Sequence, residues 1–134
     1  MSKRILIADD GDAVRGVIRA YFEARTDFQV CGEAADGAEV IEKAKQLKPD
    51  LILLDMNLPK VNGMEVLAKI KTDEALKIIP VVMLTTSTSE QDVQDAYRNY
   101  VNCYINKPID LEEFIVVIRN IESFWLNTVK LPVI

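Results

Sequence analysis

Five short, largely apolar runs punctuate the chain: RILIA (4–8), FQVCG (28–32), LILL (51–54), VVML (81–84) and CYI (103–105). Such runs are too short for helices and fit strands buried on both faces. Between them apolar positions recur every three or four residues, the mark of a helix face. The first such segment offers Val14, Val17, Ile18 and Tyr21, and the second Val40, Ile41, Ala44 and Leu47. The third offers Met64, Val66, Leu67 and Ile70, and the fourth Val93, Ala96, Tyr97 and Tyr100. The fifth runs from about Leu111 to about Thr128, with Phe114, Ile118, Ile121 and Trp125 on one side. Asp110 and Glu113 read as a capping box opening that helix. Ser87, Thr88 and Ser89 crowd the start of the fourth, and ADG (35–37) and PKVNG (59–63) read as turns.

Strand and helix therefore alternate five times, which predicts an α/β fold: a doubly wound parallel sheet with helices on both faces. Right-handed crossovers leave few topologies, one of them the flavodoxin-like order 2-1-3-4-5. At 134 residues and 49% hydrophobic, the chain fits one domain with its own core. The core is expected to end near residue 121, with residues 122–134 as a helical extension.

The net charge of −5, with no basic stripe, argues against direct nucleic-acid binding. The absence of histidine excludes a Ser-His-Asp triad, a His-ligated zinc site and a phosphohistidine within the chain. Cys31 and Cys103 lie in apolar runs and read as small buried hydrophobes. No apolar run approaches the ~18 residues of a membrane span, and no secretion signal is evident, so a cytoplasmic location is expected.

In a parallel sheet all the strand C-termini share one edge, and ligands bind there where the strand order reverses. The residues just after each run are therefore informative. Asp9 and Asp10 come after the first, Asp55 after the third, Thr85 and Thr86 after the fourth, and Lys107 and Pro108 after the fifth. Three carboxylates would converge beside a hydroxyl and an ammonium. At ~4–5 Å and an effective dielectric near 20, each like-charged pair repels by roughly 3–4 kcal/mol. A bound cation offsets that, and an all-oxygen donor set selects a hard one: Mg²⁺, with Mn²⁺ fitting similarly. The loop DDGDAV after the first strand has the wrong sign to cradle a phosphate cofactor. A carboxylate can instead attack phosphorus, with Lys107 and Thr85 holding the other phosphoryl oxygens.

These residues carry a family resemblance. ILIADD (5–10), PDLILLDMNLPKVNGMEVL (49–67), IPVVMLTT (79–86) and YINKP (104–108) resemble the receiver domain of two-component response regulators over essentially the whole length. The resemblance implies that Asp55 is the phosphoacceptor, taking its phosphoryl group from a phosphohistidine on a sensor histidine kinase. Asp10 would be a direct metal ligand, Asp9 a ligand acting mainly through water, and the Asn57 backbone carbonyl a third contribution. Thr85 would be the switch hydroxyl, Lys107 the phosphate-pairing lysine, Tyr104 the rotameric aromatic, and Pro108 the proline that often follows in a cis bond. Asp55 and Lys107 would carry the chemistry as nucleophile and charge stabiliser. Phosphorylation would then alter the face formed by the fourth helix, fifth strand and fifth helix, for a downstream protein target, a phosphotransfer protein or a second copy of the chain. The C-terminal third is similar to the stand-alone receivers that partner phytochrome-type kinases, which often dimerise. The segments KRILIADDGDAVRGVIRAYFEA and VCGEAADGAEVIEKAKQLKPDL look more like receivers that carry a DNA-binding output.

Plainer readings compete. Asp9 and Asp10 would also suit the positive end of the first helix as caps. Tyr104 would also suit an ordinary core, and Trp125 packs on the sheet or faces a second copy. An Asp-nucleophile phosphatase of haloacid-dehalogenase type resembles this topology, but it generally needs a second acid two residues after the nucleophile, where Asn57 stands. Thr86 replaces the Ala or Gly more frequent in receivers, and its bulk would narrow the approach of attacking water.

Overall fold

A computed structural model describes residues 2–25 and 27–133. Five parallel strands, β1 (Lys3–Ala8), β2 (Phe28–Ala34), β3 (Leu51–Leu54), β4 (Val81–Thr85) and β5 (Cys103–Asn106), form one sheet in the order β2-β1-β3-β4-β5. Five α-helices alternate with them: α1 (Asp12–Glu23), α2 (Gly37–Leu47), α3 (Gly63–Thr72), α4 (Glu90–Arg98) and α5 (Leu111–Ile121). A seven-residue π-helix, Glu122–Thr128, continues α5.

The period of two along β1 shows why both faces must be covered. Leu6 and Ala8 join the core beneath α2, α3 and α4, whereas Ile5 and Ile7 join the core beneath α1 and α5. Strand β2 carries an irregularity that periodicity alone does not reveal. Ile5 pairs with Val30 but Leu6 pairs with Gly32, so Cys31 is a bulge. The extra residue shifts the side-chain parity. Ala34 then lies beside Ala8, and Glu33 turns toward Arg15 and Arg19 of α1.

Caps follow the expected residue types. Asp36, Asn62, Ser89 and Asp110 each accept a hydrogen bond from the backbone N–H three residues on. Helix α1 is capped by Gly11 with no side-chain bond, so neither Asp9 nor Asp10 serves as its cap. The deepest residue of α1 is Phe22, which the four-residue face of the sequence reading did not include.

Two expectations are corrected. Tyr97 and Tyr100 do not pack inward: they are 51% and 74% exposed. Helix α4 stops at Arg98, and Tyr100 sits beyond it at φ 66°, so the apolar face of α4 reduces to Ala96 with partial help from Val93. The last helix is not α-helical to Thr128 either. The Val129 N–H reaches back five residues to the Phe124 carbonyl at 2.8 Å. This wider turn makes Leu126, five residues after Ile121, the fully buried residue, while Trp125 packs partly buried at the side of the same cluster. Phe124 faces outward at 54% exposure. Among the described residues no helix is long and apolar enough to cross a membrane.

Gly63 lies against the turn that follows β3, where an added Cβ would come 2.2 Å from the Asp55 carbonyl oxygen. Gly16, mid-way along α1, has nothing within 4 Å of the same addition. Gly63→Ala is therefore expected to destabilise the fold by about 1–3 kcal/mol, because backbone must move. Gly16→Ala should stabilise it by about 0.5–1 kcal/mol. Urea titrations of the two variants check both signs.

Candidate functional site

The strand register assembles the site. Ala8 pairs with Leu54, so the next residues, Asp9 and Asp55, emerge side by side where the strand order reverses. The Asp55 N–H donates to the Ala8 carbonyl at 2.8 Å, and the Asp9 N–H to the Ala34 carbonyl at 3.1 Å, which fixes both backbones. Thr85 pairs with Asn106, and the Lys107 N–H donates to the Thr85 carbonyl at 2.7 Å. Thr85 and Lys107 thus come from adjacent strand ends.

The sequence-derived residues come together. Oxygens of Asp9, Asp10 and Asp55 lie within 4.8 Å of one another. Asp9 and Asp55 are buried, at 4% and 5% exposure, and Asp10 is exposed. The Lys107 Nζ stands 2.6 Å from Asp9 Oδ2 and 3.5 Å from Asp55 Oδ2. Burial pushes the Asp55 carboxyl above its ordinary value; Lys107 pulls it back and Asp9 adds to the rise. For Lys107, burial acts to lower the ammonium pKa, but the bonds to Asp9 and the charge of Asp55 outweigh it and the net direction is upward. The trio offers only carboxylate oxygens, a donor set that fits a hard divalent cation such as Mg²⁺ or Mn²⁺.

Asn57 is exposed, and its N–H donates to Asp55 Oδ1 at 3.3 Å. Thr85 is fully buried and Thr86 exposed. Tyr104 is partly buried against the α2–α4 core, with its hydroxyl donating to the Ser87 carbonyl at 3.0 Å. The Lys107–Pro108 bond is trans.

Three contributors escaped the sequence reading. Arg15 donates to the Asp9 carbonyl and to the Asp12 carboxylate, and its Nε lies 3.2 Å from Glu33 Oε1. The Asp12–Arg15 spacing on a helix was a readable signal for part of this. Ser87 and Asn106 are joined by the Asn106 amide, which donates to the Ser87 carbonyl at 2.7 Å. Nothing in their spacing announces that contact.

The chain matches the response regulator receiver domain over residues 5–119. It belongs to that family. Response regulator Rcp1 of Synechocystis is 55% identical over 137 residues, covering 97% of this chain and 93% of Rcp1. A solved Mn²⁺-bound form of response regulator Rcp1 superposes with a TM-score of 0.92, covering 98% of this chain and 99% of that one, with 41% identity in that pairing. The phosphorylated cyanobacterial phytochrome response regulator RcpA superposes at 0.93, covering 99% and 100%, with 39% identity. The receiver is thus one of two-component signalling, homologous to a phytochrome response regulator.

The raised Asp55 pKa has a signed consequence. The folded state holds that proton more tightly than the unfolded chain does, so ionised Asp55 costs stability once pH exceeds the folded value. The cost is absent below the unfolded carboxylate value of about 4. In metal-free buffer, Asp55→Asn should therefore raise the urea midpoint at neutral pH, and its advantage over wild type should shrink as pH falls toward 4. Denaturation series across pH test this.

Proposed function

We propose that this receiver is a phosphorylation-controlled switch in which Asp55 accepts a phosphoryl group from a sensor histidine kinase. One observation carries the reading: a buried carboxylate with a lysine ammonium 3.5 Å away, two further carboxylates within 4.8 Å and a buried hydroxyl on the adjoining strand end. Asp55 forms a P–O bond as the P–N bond of the partner's phosphohistidine breaks, and the electron pair of that bond stays with the imidazole. The product is an aspartyl phosphate. Asp9, Asp10, Asp55 and the Asn57 carbonyl would hold Mg²⁺ or Mn²⁺, which supplies charge neutralisation for the transferring group when bound. Lys107 and Thr85 pair with phosphoryl oxygens, and Lys107 is already aimed between Asp9 and Asp55. Asn57, exposed and unable to act as a carboxylic acid, argues against the haloacid-dehalogenase type of phosphatase. Uptake and loss of the phosphoryl group are the switch's own intrinsic chemistry, without an independent enzymatic activity.

The homology to Rcp1 and RcpA supports a phytochrome-type kinase as the donor. A shallow apolar groove of about 200 Å³ between α1 and the turn after β5, lined by Val14, Val17, Lys107, Pro108 and Phe114, would offer that kinase a footing beside Lys107. Output runs through the α4-β5-α5 face and the residues after 121, where Tyr97, Tyr100, Leu111, Val116 and Phe124 are exposed. Such a surface suits a downstream protein, a phosphotransfer protein or a second copy of the chain. Residues 1–134 act as a single receiver unit. Cytoplasmic residence is consistent with two free cysteines.

Incubation with acetyl phosphate and Mg²⁺ should add one phosphoryl group by intact mass, and Asp55→Ala should add none. Modification that persists in Asp55→Ala, or that ignores chelation of the divalent ion, would refute the assignment. Thr86→Ala should shorten the lifetime of the phosphoryl group by opening the approach of water; an unchanged decay rate would show that Thr86 does not gate it. Sedimentation of the phosphorylated and unphosphorylated chain reads the dimer directly, and a strict monomer in both states removes it.

A further inference from the structure

The Ser87 carbonyl collects two side-chain donors from β5. The Tyr104 hydroxyl lies at 3.0 Å and the Asn106 amide at 2.7 Å. Ser87 is also held from its other side. Its hydroxyl donates to Asp92 Oδ2 at 2.6 Å, inside the first turn of α4, and accepts the Ser89 N–H at 3.3 Å. Its own N–H donates to Thr85 Oγ1 at 3.3 Å. The loop between β4 and α4 is therefore pinned at one residue, and that residue fixes the hydroxyl of Thr85. An oxygen that accepts from a fixed N–H keeps its own O–H free for another acceptor. The strand register supplies the rest. Asn106 pairs with Thr85 and immediately precedes Lys107, so a single strand end delivers the ammonium and the clamp.

We propose that Asn106 is a positioning residue: by holding the Ser87 carbonyl it sets the β4–α4 loop, and with it Thr85 Oγ1, in the arrangement that meets a phosphoryl oxygen on Asp55 before that group arrives. The inference rests on the reading of Asp55 as phosphoacceptor. It differs from a role for Tyr104 alone. A carbonyl has two lone pairs, and here Asn106 donates to it beside Tyr104 rather than in its place. Donation to a shared carbonyl makes the two side chains partly redundant, so the contribution of Asn106 is largest where Tyr104 cannot donate. Asn106 is exposed and lies at the strand end, so replacing it leaves the core untouched.

The experiment compares four forms of the 134-residue chain: wild type, Asn106→Ala, Tyr104→Phe and the double variant. Each is phosphorylated with acetyl phosphate at saturating Mg²⁺ and followed by intact mass. Mg²⁺ affinity and thermal midpoint are measured on the same samples. In the Tyr104→Phe background, Asn106→Ala should slow phosphoryl uptake about three- to tenfold, the effect of one hydrogen bond, and in wild type by less. The Ser87 amide resonance should move in both Asn106 variants, with Mg²⁺ affinity unchanged. A double variant as fast as Tyr104→Phe overturns the proposal. So does a rate loss accompanied by an equal loss of Mg²⁺ affinity, which would make Asn106 a support of the metal site instead. Failure of the wild-type chain to take up a phosphoryl group refutes the reading of Asp55 itself, and the role of Asn106 falls with it.

Discussion

Two buried carboxylates at the rim of a parallel sheet, held together by one lysine ammonium, set the terms for everything around them. At the separations found here, a like-charged pair costs roughly 3–4 kcal/mol at an effective dielectric near 20. A domain of this size has about 5–15 kcal/mol of net stability to set against it. Lys107, 2.6 Å from Asp9 and 3.5 Å from Asp55, is what makes the arrangement tolerable within the chain itself. Its position is not a matter of side-chain reach alone. The pairing of Thr85 with Asn106 and the bond from the Lys107 N–H to the Thr85 carbonyl fix where the side chain begins. A one-residue slip of β5 would turn the lysine to the opposite face of the sheet.

The rest of the fold holds that rim still. Strands β1 and β3 sit in the middle of the sheet with apolar cores above and below, so Asp9 and Asp55 inherit rigid backbones. Arg15 ties the Asp9 carbonyl to α1 and, through Glu33, to β2. The bulge at Cys31 is what turns Glu33 toward α1, so an irregularity in an edge strand contributes to the stiffness of the acidic turn. At the far end of α5, buried Glu122 accepts from the Tyr21 hydroxyl at 2.8 Å and from Arg25 Nε at 2.7 Å. Burial alone would raise that carboxyl, but the arginine and tyrosine bonds outweigh it and hold it below its ordinary value. The π-helix is thereby anchored to α1, on the same side of the sheet as α5.

The architecture and the reactive rim were legible in the sequence for one reason: both depend on local patterns. A strand buried on both faces must be apolar until it ends, so a carboxylate after LILL or ILIA marks the end and the functional edge together. What escaped depends on contacts between distant segments. The parity shift at Cys31 is set by pairing with β1 and leaves no trace in the alternation of β2. The exposure of Tyr100 reflects where α4 stops, and that of Tyr97, still inside α4, shows that an aromatic at helical spacing does not announce whether the core reaches beneath it. The five-residue step from Ile121 to Leu126 breaks the 3.6-residue period on which the choice of Trp125 rested. Ser87 and Asn106 are ordinary loop and strand-end residues until the register of β4 and β5 brings them together.

The same electrostatics support the proposed reading of this rim as a switch rather than a resting ligand site. An aspartyl phosphate adds roughly 1.5–2 negative charges to a place that already holds three carboxylates. Lys107 cannot keep its bond to Asp9 unchanged and also neutralise that group, so its contacts must redistribute, and Thr85 is the nearest buried hydroxyl on the adjoining strand end able to donate as well. In the proposed switch, the Thr85 hydroxyl, whose oxygen accepts from the Ser87 N–H, would carry such a movement to the loop that opens α4. Tyr97 and Tyr100, at and just beyond the end of the helix which that loop opens, are exposed at 51% and 74%. In the proposed switch, a charge added among the buried carboxylates would be relieved toward the exposed end of α4, because the core on either side of the strands is closely packed.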